Sequence, residues 1–262
     1  MTTLHVVRNA DFSVELRRLP EVINLENTVV ITQSNYLPWR GWFEMISRAD
    51  HLVLYDTVQY TKRDWRNRNR IRSPEGVRWI TIPVNTKGLY TQAINETVIS
   101  DDSWWKSHIS ILDHSLGGND HYESIKSDLH DTYRSLDNEH FLSRINRRMC
   151  EWVIGQLGIS IELHDSESFP HTGDATDRLV SIARQLGATN YVSGPAAKNY
   201  LDTSKFLEHG ITVEWMDYST LPQDTAGTYE NGELSVIDLI AREGYLGALD
   251  CMPTIKNRFK HG

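Results

Sequence analysis

The chain has 262 residues, 27 Lys and Arg against 35 Asp and Glu, and a formal charge of −8. Its 39% hydrophobic and 24% charged content is globular, which excludes a disordered tail, a collagen-like repeat and a coiled coil. The acidic total argues against indiscriminate coating of nucleic acid, and two distant cysteines, Cys150 and Cys251, argue against a disulfide scaffold or a cysteine-based zinc site. Residues 1–28 hold no apolar run of the signal-peptide kind, and no window approaches the roughly 18 apolar residues of a membrane span. A cytoplasmic protein without membrane insertion is the expectation.

In chain order, Val29-Val30-Ile31-Thr32-Gln33 is a short apolar run, the pattern of a strand buried on both faces. A turn follows, Pro38 suits the first turn of a helix through Trp42, Phe43, Met45 and Ile46, and residues 51–55 form the next buried strand. Residues 56–76 are polar, basic and aromatic, and residues 78–84 return to strand. Helices are predicted over 102–115, 121–136 and 138–157, the last closed by Gly158. A strand over 159–163 precedes a helix over 175–186, capped by Asp174 or Thr176 and stopped at Gly187. Strands at 191–193 and 211–215 follow, then a helix capped by Ser235 and ending near Gly244. The sum is an α/β protein with a mostly parallel, Rossmann-like sheet and a helical insertion. The expected division is an N-terminal extension over 1–28, one domain over 29–250 with its insertion at about 101–158, and a tail over 251–262.

Three constellations could carry chemistry. The first, QSNYLPWRGW at 33–42, follows a strand end, where ligands of parallel sheets collect. Gln33, Asn35 and Tyr36 would face a sugar or base there and Trp39 would stack on it; the competing reading is a packed turn in which Asn35 takes an unusual backbone conformation. The second is DTVQYTKRDWRNRNRIR at 56–72. Residues 62–72 hold six basic residues and one acidic, a local +5 that leaves −13 on the rest of the chain. Arg66, Arg68, Arg70 and Arg72 alternate, so an extended strand would present a ribbon of guanidinium groups suited to phosphate or carboxylate. Lys62 and Arg63 add charge, Tyr60 and Trp65 stacking surfaces, and Gln59, Asn67 and Asn69 amide contacts. The alternative is a solvated basic strand paired with acidic neighbours. The third is YVSGPAAKNYLD at 191–202, where Ser193 and Gly194 would hold an anion, Lys198 would reach a phosphate, and Tyr200 and Asp202 would touch a hydroxylated ligand. A capped turn with a solvated lysine explains it equally well.

No GxGxxG, Walker A, HExxH or GxSxG pattern is present, so dinucleotide, P-loop, zincin and serine-hydrolase readings fail. The eleven histidines are expected at surface or core positions, with no metal site.

The sequence resembles the WbqC-like protein family over residues 29–250. The resemblance is carried by Gln33, residues 35–39 with Gly41, Asp56 with residues 58–60, and the run 62–71. Residues 79–84, Thr172-Gly173 with Thr176, Arg178 and Leu179, residues 186–189, residues 193–198 with 200–202, and Leu234-Ser235 with Asp238-Leu239 continue it. Ser34 stands where the family usually has proline, and Arg242 where asparagine is expected. The resemblance implies a cytosolic bacterial protein linked to surface-polysaccharide (O-antigen) biosynthesis, with a role in acyl or aminoacyl transfer to an amino sugar.

The leading expectation is therefore a transferase that acts on a nucleotide-linked amino sugar or another phosphorylated small molecule, with CoA or tRNA as the acyl or aminoacyl carrier. Its cofactors are not indicated. The arginines would hold phosphate, and Asp56 or Asp64 would be the general base, Asp56 being favoured by its place at a strand's carboxyl end. The alternatives are an ATP-dependent nucleotidyltransferase or ligase, and a protein that binds RNA or phosphorylated glycans through the basic aromatic run.

Overall fold

The computed structural model describes residues 26–222 and 234–258, together with the backbone of a small antiparallel pair, β1 (Val7–Arg8) and β2 (Val14–Glu15). Most of the expected N-terminal extension lies outside the described residues. Five strands form the central sheet: β3 (Thr28–Thr32), β4 (His51–Leu54), β7 (Glu162–Asp165), β8 (Asn190–Ser193) and β9 (Thr212–Trp215). Their spatial order is β7-β4-β3-β8-β9, and every pairing is parallel. The fold is α/β, as the alternation of apolar runs and amphipathic segments predicts.

Strand alternation divides the core in two. Val30, Leu52 and Leu54 face a large core formed with α1 (Arg40–Ile46), α2 (Trp104–Leu116), α3 (Tyr122–Arg134), α4 (Leu142–Gln156) and α7 (Val236–Asp250). Val29, Ile31 and Val53 face a smaller core with α5 (Ala175–Gln185) and Phe206 of α6 (Thr203–Leu207). Asp174 caps α5 in a capping box with Asp177. The last helix, α8 (Pro253–Arg258), returns to α1, and Met252 and Ile255 are buried against the large core. Among the described residues no helix is long and apolar enough to cross a membrane.

The basic aromatic segment leads into a hairpin, β5 (Arg68–Ser73) with β6 (Gly76–Thr81). Ile71 and Ile80 anchor it in the large core, and β5 packs against α2 and α7. Several boundaries differ from expectation by a few residues: the strand expected over 78–84 spans Gly76–Thr81, and the helix expected from 138 starts at Leu142. β7 starts three residues later than predicted, because Ile159 closes α4, its N–H donating to the Ile154 carbonyl at 3.0 Å. The helix that opens α7 breaks at Gly244, φ 67° and ψ 178°, where its end is expected, and a second helical stretch runs from that kink to Asp250.

Candidate functional site

The chain builds its sheet outward from β3 to β4 and β7 on one side, then crosses to β8 and β9 on the other. Beyond the carboxyl ends of β3 and β8 the flanking connections diverge and leave a crevice, the position where open parallel sheets bind ligands. A cleft of about 380 Å³ occupies it, lined by Thr32, Gln33, Tyr55, Arg66, Tyr191, Ser193, Gly194 and Tyr200 among others. That volume suits a nucleotide-sized ligand.

Arg66 is the cation of this cleft. Its guanidinium donates to Asn35 Oδ1 and to the Ser34 carbonyl at 3.3 Å, and lies 3.6 Å from the Asp64 carboxylate. Burial lowers its pKa and the charges of Asp64 and Asp56 oppose that, so it stays protonated. Asn35 thus positions the arginine.

The two acidic candidates differ in environment. Asp56 is 5% exposed and accepts the Ser34 N–H at 2.8 Å. Burial raises its pKa from the ordinary aspartate value, against the pull of the Ser34 hydrogen bonds and of Arg66. It lines a second cavity of about 100 Å³ with Arg144, Arg147 and Asp165, and connects to the cleft through Ser34 and Arg66. For Asp64 burial also pushes upward, but the Thr61 hydroxyl at 2.6 Å, Arg66 and the Trp65 N–H outweigh it and hold the pKa below its ordinary value. A carboxylate so held is a poor proton acceptor near neutrality, whereas one raised by burial is a better one.

The remaining arginines serve other ends. In β5, Arg68, Arg70 and Arg72 alternate with buried Asn69 and Ile71. Arg68 lies 4.1 Å over the Trp79 ring, Arg70 stands 5.9 and 5.7 Å from Trp65 and Trp79, and Arg72 meets the buried Asp238 at 3.3 Å. Arg66 precedes the strand, and of these four only it lines the cleft among the described residues. Asn67 and Asn69, read from sequence as ligand amides, brace backbone instead. Asn69 Nδ2 donates to the carbonyls of Tyr36 and Leu37 at 3.1 and 2.7 Å, and Asn67 Nδ2 to that of Ile82 at 2.7 Å. The unusual backbone of this turn belongs to Leu37, φ 44°, not to Asn35.

Tyr36 is fully buried, its hydroxyl between Tyr133 and His108 Nδ1, so it belongs to the core and not to a ligand surface. Tyr60 is buried as well. Trp39 packs on Tyr218 with ring centroids 4.8 Å apart. Gln59 donates to the Tyr90 carbonyl at 2.7 Å, and Lys62 sits 5.4 Å over the Tyr90 ring. Arg63 is exposed and takes φ 60°. Lys198 lies 5.8 Å over Trp215, and Asp202 caps α6 by accepting the Ser204 N–H at 3.0 Å.

Of the residues selected from sequence, Gln33, Arg66, Ser193, Gly194 and Tyr200 line the cleft, and so do Tyr55 and Tyr191, which were not selected. Tyr55 directly follows β4, so the strand-end argument that selected Asp56 applies to it too. Tyr191 lies inside β8, where nothing in its spacing marks it as cleft-lining.

An open parallel sheet with an arginine-lined cleft at its crossover makes this an α/β protein with a candidate ligand site. The chain belongs to the WbqC-like protein family, whose pattern matches residues 33–246. It is similar to an uncharacterized protein of Mycobacterium tuberculosis, Rv1507c, with 41% identity over 219 residues, covering 82% of this chain and 94% of the relative. No solved structure matches the chain.

Proposed function

We propose that the protein is a transferase that places an acyl or aminoacyl group on the amine of a nucleotide-linked amino sugar in surface-polysaccharide biosynthesis. The observation that carries this reading is the crossover cleft with Arg66 fixed in its wall by Asn35 and Asp64. A preorganised, always-charged fork suits a pyrophosphate. In this reading Gln33, Ser193 and Tyr200 orient the sugar or base. Asp56, raised by burial, takes the proton the amine loses as the amide bond forms and passes it to the carrier thiol or hydroxyl that departs as the acyl–carrier bond breaks, which sets the carrier-bound acyl group toward the second cavity.

The exposed stack of Arg68 on Trp79, with Arg70 and Trp65 beside it, supports a second role for the hairpin as a dock for a nucleic-acid carrier. An aminoacyl-tRNA donor would unite the two.

The test is a thermal-shift screen of the wild type with nucleotide-linked amino sugars, nucleotides, acyl-CoA and tRNA, followed by turnover assays with the ligands that protect. Nucleotide sugars should raise the wild-type midpoint and fail to protect Arg66→Ala. Asp56→Asn should keep that protection and lose turnover. Protection by ATP with pyrophosphate release would instead favour the ligase reading, and protection of Arg66→Ala equal to that of wild type would overturn the site.

A further inference from the structure

We propose that His51, Glu162 and His164 form a binding site for one zinc-like divalent cation, clamping the edge of the sheet. Sequence spacing gave no reason to join these residues, since 113 positions separate the two histidines. The parallel register joins them. His51 opens β4 beside Glu162, the first residue of β7, and His164 lies two residues farther along, beside Val53. A strand's period of two therefore sends all three side chains to one face.

The ligand atoms already stand at coordination spacing. His51 Nδ1 is 3.2 Å from His164 Nε2 and 3.4 Å from Glu162 Oε2, and His164 Nε2 is 3.6 Å from Glu162 Oε1. Four ligands at the zinc–nitrogen and zinc–oxygen distances of about 2.0–2.1 Å, set tetrahedrally, stand about 3.3–3.4 Å from one another. Each of these pairs falls near that edge length, though the two histidines meet different oxygens of Glu162, and one ligand atom from each residue lies within 4.8 Å of the other two, close enough to share one cation. Two imidazoles and one carboxylate form a borderline donor set that prefers zinc over magnesium or calcium.

Access and rigidity are also suitable. Each imidazole is 18% exposed and the Glu162 side chain 66%, so a cation can enter from solvent and keep a water as its fourth ligand. Phe169 packs edge-on against the His164 ring at 5.6 Å and limits its rotation. Asp50, next in sequence, is already engaged by the Thr28 N–H at 2.9 Å. The triad lies where β4 and β7 begin, whereas the cleft lies beyond the strands' opposite ends. Because β7 is the outermost strand on its side, a shared cation would fasten it to β4 where backbone pairing exists on one flank only.

The experiment is a calorimetric titration of the tag-free, chelator-stripped chain with zinc chloride, with thermal melts in parallel. The wild type should bind one zinc per chain and melt at a higher temperature with zinc than without. His51→Ala and His164→Ala should each weaken binding at least tenfold and lose the thermal response, whereas His209→Ala, an exposed histidine elsewhere, should behave as wild type. Glu162→Gln, exposed and nearly isosteric, guards against variants that fail to fold and should weaken binding about tenfold. Cobalt added to the wild type should give the intense visible absorption of a four-coordinate site. Absence of saturable zinc binding, absence of that absorption, or wild-type affinity in Glu162→Gln would overturn the proposal.

Discussion

His108 should make the protein acid-labile by a calculable amount. The imidazole is 3% exposed and its Nε2 stands 3.1 Å from the Thr81 carbonyl, which can only accept. Nε2 therefore carries the proton, and Nδ1 accepts the Tyr36 hydroxyl at 2.7 Å, leaving the Tyr36 oxygen to accept from Tyr133. A second proton would force the Tyr36 hydroxyl to turn from donor to acceptor, and burial, only partly offset by the Thr81 carbonyl, pushes the pKa down from 6.5 to about 4. An unfolded histidine takes its proton near pH 6.5 and this one only near 4. The contribution is complete above the unfolded value, and stability falls as the pH drops toward the folded one. Between pH 7 and pH 5 the loss is about 2 kcal/mol. His108→Gln keeps an amide donor and acceptor in place but cannot titrate. Urea unfolding of both proteins at pH 7 and pH 5 isolates the histidine, because Glu44 and Asp56, whose pKa values are raised and which act with opposite sign, cancel in the difference. The wild type should lose about 2 kcal/mol more than the variant. Equal losses would refute the assignment. The Tyr36 backbone N–H also holds the Trp65 carbonyl at 3.0 Å, so acid should loosen the turn that carries Gln33 and Asn35.

Three further outcomes are expected. Asp238→Ala removes the buried partner of Arg72 and Arg242, each 3.3 Å away, and should cost about 3 kcal/mol in urea unfolding, whereas Asp238→Asn, which still accepts the Arg72 N–H, should cost less. Gly244→Ala must hold φ 67° with its Cβ 3.0 Å from the His121 ring, and should lower the melting temperature by an amount equivalent to more than about 1 kcal/mol. Arg66→Ala should weaken binding of a nucleotide sugar by tenfold or more, measured by calorimetry, and Arg66→Lys should not restore it.

How much of this was legible in the sequence depended on how local each cause is. The unbroken Val29-Val30-Ile31 run reads as a central strand, and the same residues are buried on both faces. Of the two cap candidates, Asp174 and Thr176, Asp174 caps α5, with its partner Asp177 only three residues away. Gly158 and Gly187 mark helix ends because their positive φ, 62° and 67°, suits glycine. The alternating arginines were visible as a pattern, but their partners were not. Arg72 answers to Asp238, 166 positions away, and Arg66 to Asn35, 31 positions away, so pattern alone could not separate the cleft's guanidinium from those used for support. The strand-end rule selected Gln33, which lines the cleft, and Asp56, which lines the second cavity; applied evenly, it would also have selected Tyr55. Gly244 marks the end of the first helical stretch, as its positive φ of 67° allows, but nothing local announced that a second stretch would follow it to Asp250.

The buried Glu44 of α1 accepts from the Thr254 N–H and hydroxyl, across a separation of 210 residues. At ribosomal rates of about 5–20 residues per second, the acceptor is made about 10–40 s before its donors. Throughout that interval α1, which follows the first cleft-bearing turn, has a carboxylate that cannot yet be shut away from water without a large desolvation cost. Arg48, 3.9 Å away on the following turn, offsets part of that cost before α8 is made, and the chain's late segment supplies the donors that let Glu44 stay buried behind the first cleft-bearing turn.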